Sequence, residues 1–427
     1  MGSTFKNNDF NAMFSYITWG SASLIIALSL LVPDGYSIGA ILVLLFSFCL
    51  PFVKSSYKLS TSDKCLILCF LTYALGMFFL VYLDGFNTRW LDKPARFILV
   101  LLPLVLLLKT ALNKNALAIS CMIGAFGPFG VAIIERFYFG YPRAEGDENP
   151  IMFGGISMLI GLICLNYTLY FYKTRKKAWC FFSAMAFFCG FFASLLSGSK
   201  GSWIILPVAL IFLFWNYREL ISKKLYLNML LAVTLIIGAI SLTPSLGVSA
   251  RIGTLISDVA LYLEGNDKET SVSHRAELWK ASIFMFQDSP VFGIGRSHQI
   301  DFKQNLVDQN LIHKSVLLFT HAHNEFLNEL GLHGFFGLIS LLIVYLGPLL
   351  LFGSKIKNSA NNPNIKIYAI SGALVPLCYM GFALTQAMFV HNSGVMVYAF
   401  LIIIFWAATS WAEREEVASG NIEKAAD

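Results

Sequence analysis

The chain has 427 residues, of which 57% are hydrophobic and 13% are charged, and its mean hydropathy is +0.67. Soluble domains carry about 25% charged residues, so this composition indicates a polytopic membrane protein and excludes a disordered or disulfide-stapled chain. The net charge of +6 is spread over short loops without a basic stripe, and no nucleic-acid partner is expected. All eight cysteines lie in or beside apolar runs, so neither a disulfide framework nor a metal site is predicted.

Apolar runs along the chain predict about twelve transmembrane helices, because a spanning helix needs roughly 20 mostly apolar residues. The polar N-terminus lacks a cleavable signal pattern, so the first run is expected to remain as a helix. No internal repeat is visible, which disfavours a repeat-built transporter. The predicted spans are 14–32, 37–53, 65–83, 96–112, 116–135, 151–172, 178–197, 202–217, 224–243, 333–353, 367–387 and 394–411.

The distribution of Lys and Arg predicts the orientation, because positively charged loops stay on the cytoplasmic side. Basic residues concentrate in alternate loops and at the termini, so both termini are predicted to be cytoplasmic. The sequence then divides into nine spans in 1–243, a large periplasmic loop in 244–332, three spans in 333–411 and a cytoplasmic tail in 412–427. Short amphipathic stretches in the large loop predict a small helical lobe.

Histidines are expected only at the outer face of this topology. Imidazole exchanges protons near neutral pH, so the chemistry is predicted on that side. The most informative stretch is THAHNEFLNELGLHGFFG at 320–337, where His323 and Asn324 precede Gly334 and Gly337 at the mouth of a span. The seven histidines are His274, His298, His313, His321, His323, His333 and His391.

A helix that begins near Asn324 would place Glu325, Asn328 and Glu329 on one polar face. The His-Asn start, the nine-residue spacer and the Gly-x-x-Gly finish resemble the signature of the O-antigen ligase and polymerase superfamily. The preceding HRAELWKASIFMFQDSPVFGIG at 274–295 resembles the same pattern. The resemblance implies a GT-C-like, all-α inner-membrane protein with twelve spans and one large helical periplasmic loop. It also implies that His323 is the general base on an acceptor hydroxyl.

In this superfamily, arginines in periplasmic segments hold the pyrophosphate of a lipid-linked sugar donor. The resemblance assigns this role to Arg275 in the loop pattern and to Arg143 in YPRAEGDENPIMFGG. The family usually has an arginine after the seventh span, where this sequence has Lys200 in LLSGSKGSWI. A lysine keeps the charge but loses the two-pronged geometry of a guanidinium. Either Arg143, Arg251 or Arg296 would then supply the bidentate contact, or the donor would be bound more loosely than the family pattern implies.

Simpler interpretations stand beside these assignments. His323 could be a helix-capping or interfacial histidine, and Lys200 could be a lysine that extends from a helix end toward water. Arg275 could pair with Glu277 or Glu325 on the loop surface. His321 shares the site with His323 and is expected to position or tune it, with a role as the base itself as the alternative. Asn324 is counted among the substrate-binding residues, and His391 is interpreted as structural.

The resemblance implies an O-antigen ligase, an inverting glycosyltransferase that needs no metal or cofactor. It would move a polysaccharide from undecaprenyl pyrophosphate to the lipid A-core oligosaccharide in the bacterial inner membrane, among membrane lipids. A polysaccharide polymerase with the same donor is the first alternative, because nothing in the motif separates the two. A transporter of lipid-linked sugar is disfavoured, because the predicted spans hold almost no ionisable residues at their centres.

Overall fold

The computed structural model describes residues 2–53, 55–220, 270–359 and 362–426. Within these ranges the regular secondary structure is helical. The predicted span 224–243 and the candidate Arg251 lie outside the described residues.

The helices follow the apolar runs of the sequence, and several begin at side chains that cap the first turn. Ser60 and Asp63, for example, form a reciprocal capping box at the start of the third helix. The helices are α1 (Gly2–Leu28), α2 (Gly35–Ser47), α3 (Thr61–Leu83), α4 (Asp92–Leu99), α5 (Leu101–Lys109), α6 (Lys114–Ile133), α7 (Pro150–Lys173), α8 (Lys177–Ser197), α9 (Gly201–Ile204), α10 (Leu206–Asn216), α11 (Ser271–Asp288), α12 (Gln299–Asp308), α13 (Glu325–Asn358), α14 (Pro363–Ala383) and α15 (Asn392–Ala426). Short 3-10 helices cover Leu50–Phe52, Thr88–Trp90, Lys314–Leu318 and Met388–Val390, and a π-helix covers Ile134–Tyr138.

Eight helices in the described part of the chain are long and apolar enough to cross a membrane, so the protein is a multi-pass membrane protein. They coincide with eight of the predicted spans. Three further predicted spans fall on α2, on α4 with α5, and on α9 with α10, which are short or interrupted. Pro103 and Pro207 follow the two interruptions, and proline removes the N–H that the preceding turn would bind. The count of twelve stays a prediction.

Helices α7, α14 and α15 form the centre of the bundle. In each of them, 89% of the apolar window is buried inside the protein, against 39% in α8 and α13. Small residues allow close packing around α7: a Cβ atom at Gly190 of α8 would lie 2.8 Å from Cα of Gly161. The central helices therefore carry little lipid-facing surface, and the other spans surround them.

The bundle has two polar ends. Helix α3 begins beside Asp63 and is 23 residues long, which corresponds to about 34 Å at the rise of an α-helix. We call its first end the Asp63 end. The other end is the histidine end, where α13 and α15 begin and α14 finishes. The loops 319–324 and 384–391 therefore lie side by side at the histidine end.

Helix α13 bends sharply at Gly334, whose φ is 63° and ψ is −159°. This backbone region is open almost only to glycine. The chain between α11 and α12 crosses the bend, because the N–H groups of Phe335 and Phe336 donate to the carbonyls of Pro290 and Val291. The predicted span 333–353 is therefore the second part of a longer helix, whose first turns lie at the histidine end.

The described residues between α10 and α13 carry a small apolar core of their own. Leu278 and Met285 of α11, Leu306 of α12 and Val316 of the 3-10 helix pack together against Leu332 of α13. This cluster fixes α11 and the 319–324 loop over the histidine end of the bundle.

Candidate functional site

His323 lies in the short loop immediately before α13. Its φ of 49° is left-handed, an uncommon conformation for a residue other than glycine. The next residue holds the loop: Asn324 Oδ1 accepts from the N–H of Leu327 at 3.0 Å, and its Nδ2 donates to the carbonyl of Leu384 at 3.3 Å. Asn324 thereby caps α13 and joins the two loops. Its predicted contact with substrate stays a prediction.

Gln386 connects His323 to His391. The Nδ1 of His323 lies 2.7 Å from Gln386 Oε1, and the Nε2 of Gln386 lies 2.9 Å from Nε2 of His391. An amide oxygen can only accept, so this contact places the proton of the neutral His323 ring on Nδ1 and leaves a lone pair on Nε2. Gln386 is 2% exposed, so its amide lies buried among these rings. The sequence analysis did not identify it.

His321 completes a group of three imidazoles. Its ring centroid lies 4.4 Å from that of His323 and 5.7 Å from that of His391. Burial, together with the neighbouring rings, lowers the pKa of His321 to about 3, and burial with the charge of Lys93 lowers that of His391 to about 4. The pKa of His323 is also lowered, mainly by burial. All three rings are therefore neutral near pH 7, and His391 belongs to the group despite its expected structural role.

Arg275 on α11 is a cation that acts electrostatically on His323. Its charge contributes to the lowered pKa of His323, and burial lowers its own pKa. No carboxylate within ion-pair distance of Arg275 occurs among the residues that the structure describes. A half-buried guanidinium without a counter-ion is suited to bind an anionic group of a substrate.

Lys303 on α12 is a buried cation that the sequence analysis missed. It is 3% exposed, and its Nζ donates to the carbonyl of Phe319 at 2.9 Å. Burial lowers its pKa to about 8. On the other side of the loop, Trp279 donates from Nε1 to the carbonyl of Ala322 at 3.0 Å. Both contacts hold the loop that carries His321 and His323.

Arg143 and Lys200 also lie at the histidine end, near the end of α8. The Nε of Arg143 donates to the carbonyl of Ser197 at 2.7 Å, at the end of α8 and three residues before Lys200. Gly201 packs directly against the side chain of Thr385, the neighbour of Gln386. The structure therefore brings His321, His323, Asn324, Arg275, Arg143 and Lys200 to the histidine end, and their assignment to one substrate site stays a prediction. Their individual roles stay predictions.

Arg296 belongs to a second group of cations. Its backbone N–H donates to Oδ2 of Asp84 at 2.6 Å, just beyond the end of α3. Burial lowers the pKa of Lys93, and the charges of Arg296 and Arg96 lower it further. Since the charge of Lys93 in turn acts on His391, this group approaches the imidazoles from the side of α4.

The predicted polar face at the start of α13 is buried and holds the surrounding loops. Glu325 is 1% exposed and accepts from the hydroxyl of Tyr345 at 2.5 Å and from the N–H of Phe389 at 2.6 Å. Glu329 lies 2.6 Å from Nδ1 of His333 on the same helix. Both carboxylates are hydrogen-bonded within the protein, so they hold the loops and helices around the site and do not face substrate.

The described residues thus form a multi-pass helical membrane protein that carries, at one end, three neutral imidazoles and a guanidinium without a neighbouring carboxylate. The family model described as "O-Antigen ligase" matches residues 185–342, which include Lys200, Arg275 and His323. The match confirms the resemblance to the O-antigen ligase superfamily over this segment and supports a transferase role. An uncharacterized protein of Haemophilus influenzae (strain ATCC 51907 / DSM 11121 / KW20 / Rd) is 27% identical over 387 residues, which are 90% of this chain and 96% of that protein.

Proposed function

We propose that the protein is an O-antigen ligase of the bacterial inner membrane. It transfers a polysaccharide from undecaprenyl pyrophosphate to a hydroxyl group of the lipid A-core oligosaccharide at the periplasmic face. The observation that carries this proposal is the imidazole of His323, which lies 2.7 Å from Gln386 Oε1 and whose pKa is lowered by burial and by the charge of Arg275. The match to the O-antigen ligase family supports the choice of substrates.

The reaction is a single displacement at the anomeric carbon of the donor. Nε2 of His323 accepts the proton of the acceptor hydroxyl while its oxygen forms the new glycosidic bond. The bond from the anomeric carbon to the pyrophosphate oxygen breaks with inversion, and undecaprenyl pyrophosphate leaves with the electron pair. Arg275, Arg143 and Lys200 stabilise the negative charge on this leaving group, and the general base then releases its proton to water.

His323 is a better base than His321 for this step. A general base is most effective when its pKa lies near the working pH, and the pKa of His321 is about 3. The Gln386 contact also leaves Nε2 of His323 with a lone pair that can accept a proton. We therefore assign proton transfer to His323 and the shaping of its surroundings to His321.

The test is transfer in a purified system. The protein is reconstituted in nanodiscs with a defined lipid-linked polysaccharide and lipid A-core, and the product is followed by gel mobility and mass. The His323→Ala variant should lose transfer by about 10²–10⁴-fold while retaining donor binding. His298→Ala is the matched control, because this histidine side chain is 72% exposed.

Two results would contradict the proposal. Transfer at the wild-type rate by His323→Ala would remove this imidazole from the mechanism. Product that forms only on a second lipid-linked saccharide, and never on lipid A-core, would identify a polymerase in place of a ligase.

A further inference from the structure

A cavity of about 420 Å³ lies between α2, α4 and the start of α15. Its lining changes along the three helices in the same direction. Polar residues line it at the histidine end: Asp34 before α2, Asp92 and Arg96 on α4, and Asn392 on α15. Deeper in the bundle the lining is apolar.

The apolar part extends well into the membrane-spanning region. Leu44 lies ten residues beyond Asp34, and Phe400 lies eight residues beyond Asn392. At the helical rise these separations correspond to about 12–15 Å along the helix axes. The cavity is therefore a groove with a polar mouth and an apolar interior. This distribution of polarity matches a lipid with a polar head and a hydrocarbon chain.

The side of the cavity is open along the helices. Ile41 and Leu99 at the rim are 56% and 50% exposed, whereas Ala40, Val100 and Phe400 beneath them are at most 6% exposed. In a membrane-spanning bundle such a rim faces lipid tails. A hydrocarbon chain can thus enter from the bilayer without passing through water.

The charge of the mouth distinguishes between the two lipids in the proposed reaction. Arg96 is paired with Asp92 at 2.8 Å, and Asp34 accepts a hydrogen bond from Tyr36 at 2.5 Å. The one guanidinium that lines the mouth is therefore already paired with a carboxylate, and Asp34, Asp92 and Asn392 offer hydrogen-bond acceptors to a sugar rich in hydroxyl groups. The unpaired cation that suits the donor phosphates, Arg275, lies on α11.

We propose that this groove holds an acyl chain of the acceptor glycolipid, with the sugar head of the acceptor at the mouth. The continuity of the groove with the imidazoles supports this occupant. Asn392 lines the mouth and follows His391, which Gln386 joins to His323. The inference rests on the proposed function, since only a transferase with a lipid acceptor requires such a second lipid site.

Two neighbouring residues on α2 provide a matched test. Leu44 lines the groove, whereas Leu45 is 56% exposed and does not line it. Leu44→Trp should raise the KM for lipid A-core about tenfold and leave the KM for the lipid-linked donor unchanged, because the indole occupies space needed by one acyl chain. Leu45→Trp should leave both constants unchanged. Ile41→Trp at the rim is the replacement if Leu44→Trp does not fold.

A binding measurement separates this inference from the proposed function. Lipid A-core with a photoreactive acyl chain should crosslink to residues of the groove even in the His323→Ala protein, and Leu44→Trp should abolish the crosslink. A raised KM for the donor alone would place the polyprenyl chain in the groove and overturn the inference. Unchanged constants together with an absent crosslink would show that the groove holds neither substrate.

Discussion

The Asp63 end and the histidine end both bury polar side chains, but they differ in how completely those groups are paired. Asp63 is fully buried, and its Oδ2 accepts from the hydroxyl of Tyr57 and from the N–H and hydroxyl of Ser60 at 2.5–2.8 Å. Its Oδ1 accepts from Trp406 Nε1 at 2.8 Å. Arg414 lies over the ring of Tyr57, 4.1 Å from its centroid. Every oxygen of this carboxylate is used within the protein.

At the histidine end, several polar groups have no hydrogen-bond or ion-pair partner among the described residues. Nε2 of His321 is buried without a partner, Nε2 of His323 keeps a lone pair, and Arg275 has no carboxylate beside it among the described residues. Unpaired buried groups cost free energy, which a folded protein tolerates mainly where a ligand supplies the missing partners. The comparison indicates that a saturated polar cluster such as that of Asp63 holds the bundle together, whereas the unpaired groups of the histidine end are the ones we propose to act on substrate.

Among the substitutions that compare the two ends, the largest loss of activity is expected at Arg275. Arg275→Ala removes the unpaired guanidinium, and we expect transfer to fall by about 10²–10³-fold because the charge on the leaving group loses a stabilising donor. Thermal unfolding in detergent should be unchanged, because Arg275 stabilises no carboxylate in the described structure. An equal loss of activity and thermal stability would show that Arg275 is structural.

Gln386 offers a sharper test through the pH dependence of kcat/KM. The lowered pKa of His323 keeps the base unprotonated near pH 7, so wild-type activity should decline only on the acid side of its usual value of about 6.5. In Gln386→Glu, a carboxylate beside Nδ1 favours the imidazolium and raises this pKa. The acid decline should therefore move to higher pH. Unshifted profiles would refute the assigned orientation of the His323 ring.

Gln386→Leu provides the matching loss of the hydrogen bond. We expect kcat to fall about tenfold, because the ring loses the contact that orients it and selects its tautomer, with little change in either KM. A normal kcat would mean that Gln386 only fills space between the loops.

The Asp63 end should respond in the opposite way. Asp63→Asn keeps the shape of the side chain but replaces an acceptor oxygen with a donor group that faces other donors, at a cost of about 2 kcal/mol in the free energy of unfolding. The denaturant midpoint should fall, while transfer per folded molecule stays at the wild-type level. A selective loss of transfer would show that this end takes part in the reaction.

The smallest effects are expected at Lys200. Lys200→Arg restores the guanidinium that the family usually carries, and donor affinity should remain within about threefold of wild type. Lys200→Ala should weaken donor binding about tenfold by removing one positive charge. An unaltered affinity in the alanine variant would assign Lys200 to membrane orientation alone.

Much of the fold could be predicted because each membrane-spanning helix corresponds to an apolar run in the sequence. The exceptions have local causes. The α4 and α5 helices occupy one continuous run that proline interrupts, and the first turns of α13 carry so many polar residues that hydropathy placed the span after them. The polar face of Glu325 and Glu329 was visible as a pattern, but its burial depends on Tyr345 and Phe389, which are distant in the sequence.

The candidate site was predictable only where its residues form a motif. His323 and Asn324 stand in a recognisable pattern, whereas Gln386 is 63 residues away and carries no local signal beyond its position between two apolar runs. Lys303 resembles a surface lysine of an amphipathic helix until the fold places it under the 319–324 loop. Contacts of this kind arise from packing between distant segments, which spacing within the chain does not encode.

The lateral rim formed by Ile41 and Leu99 has a kinetic consequence. A substrate that reaches the groove from the side diffuses in two dimensions, so its abundance per unit of bilayer area, and not per volume of solution, governs how often it arrives. Adding inert phospholipid at a constant total amount of substrate would then slow the reaction, because it lowers the number of substrate molecules per bilayer area. In the cell, the density of substrate in the leaflet would limit the rate.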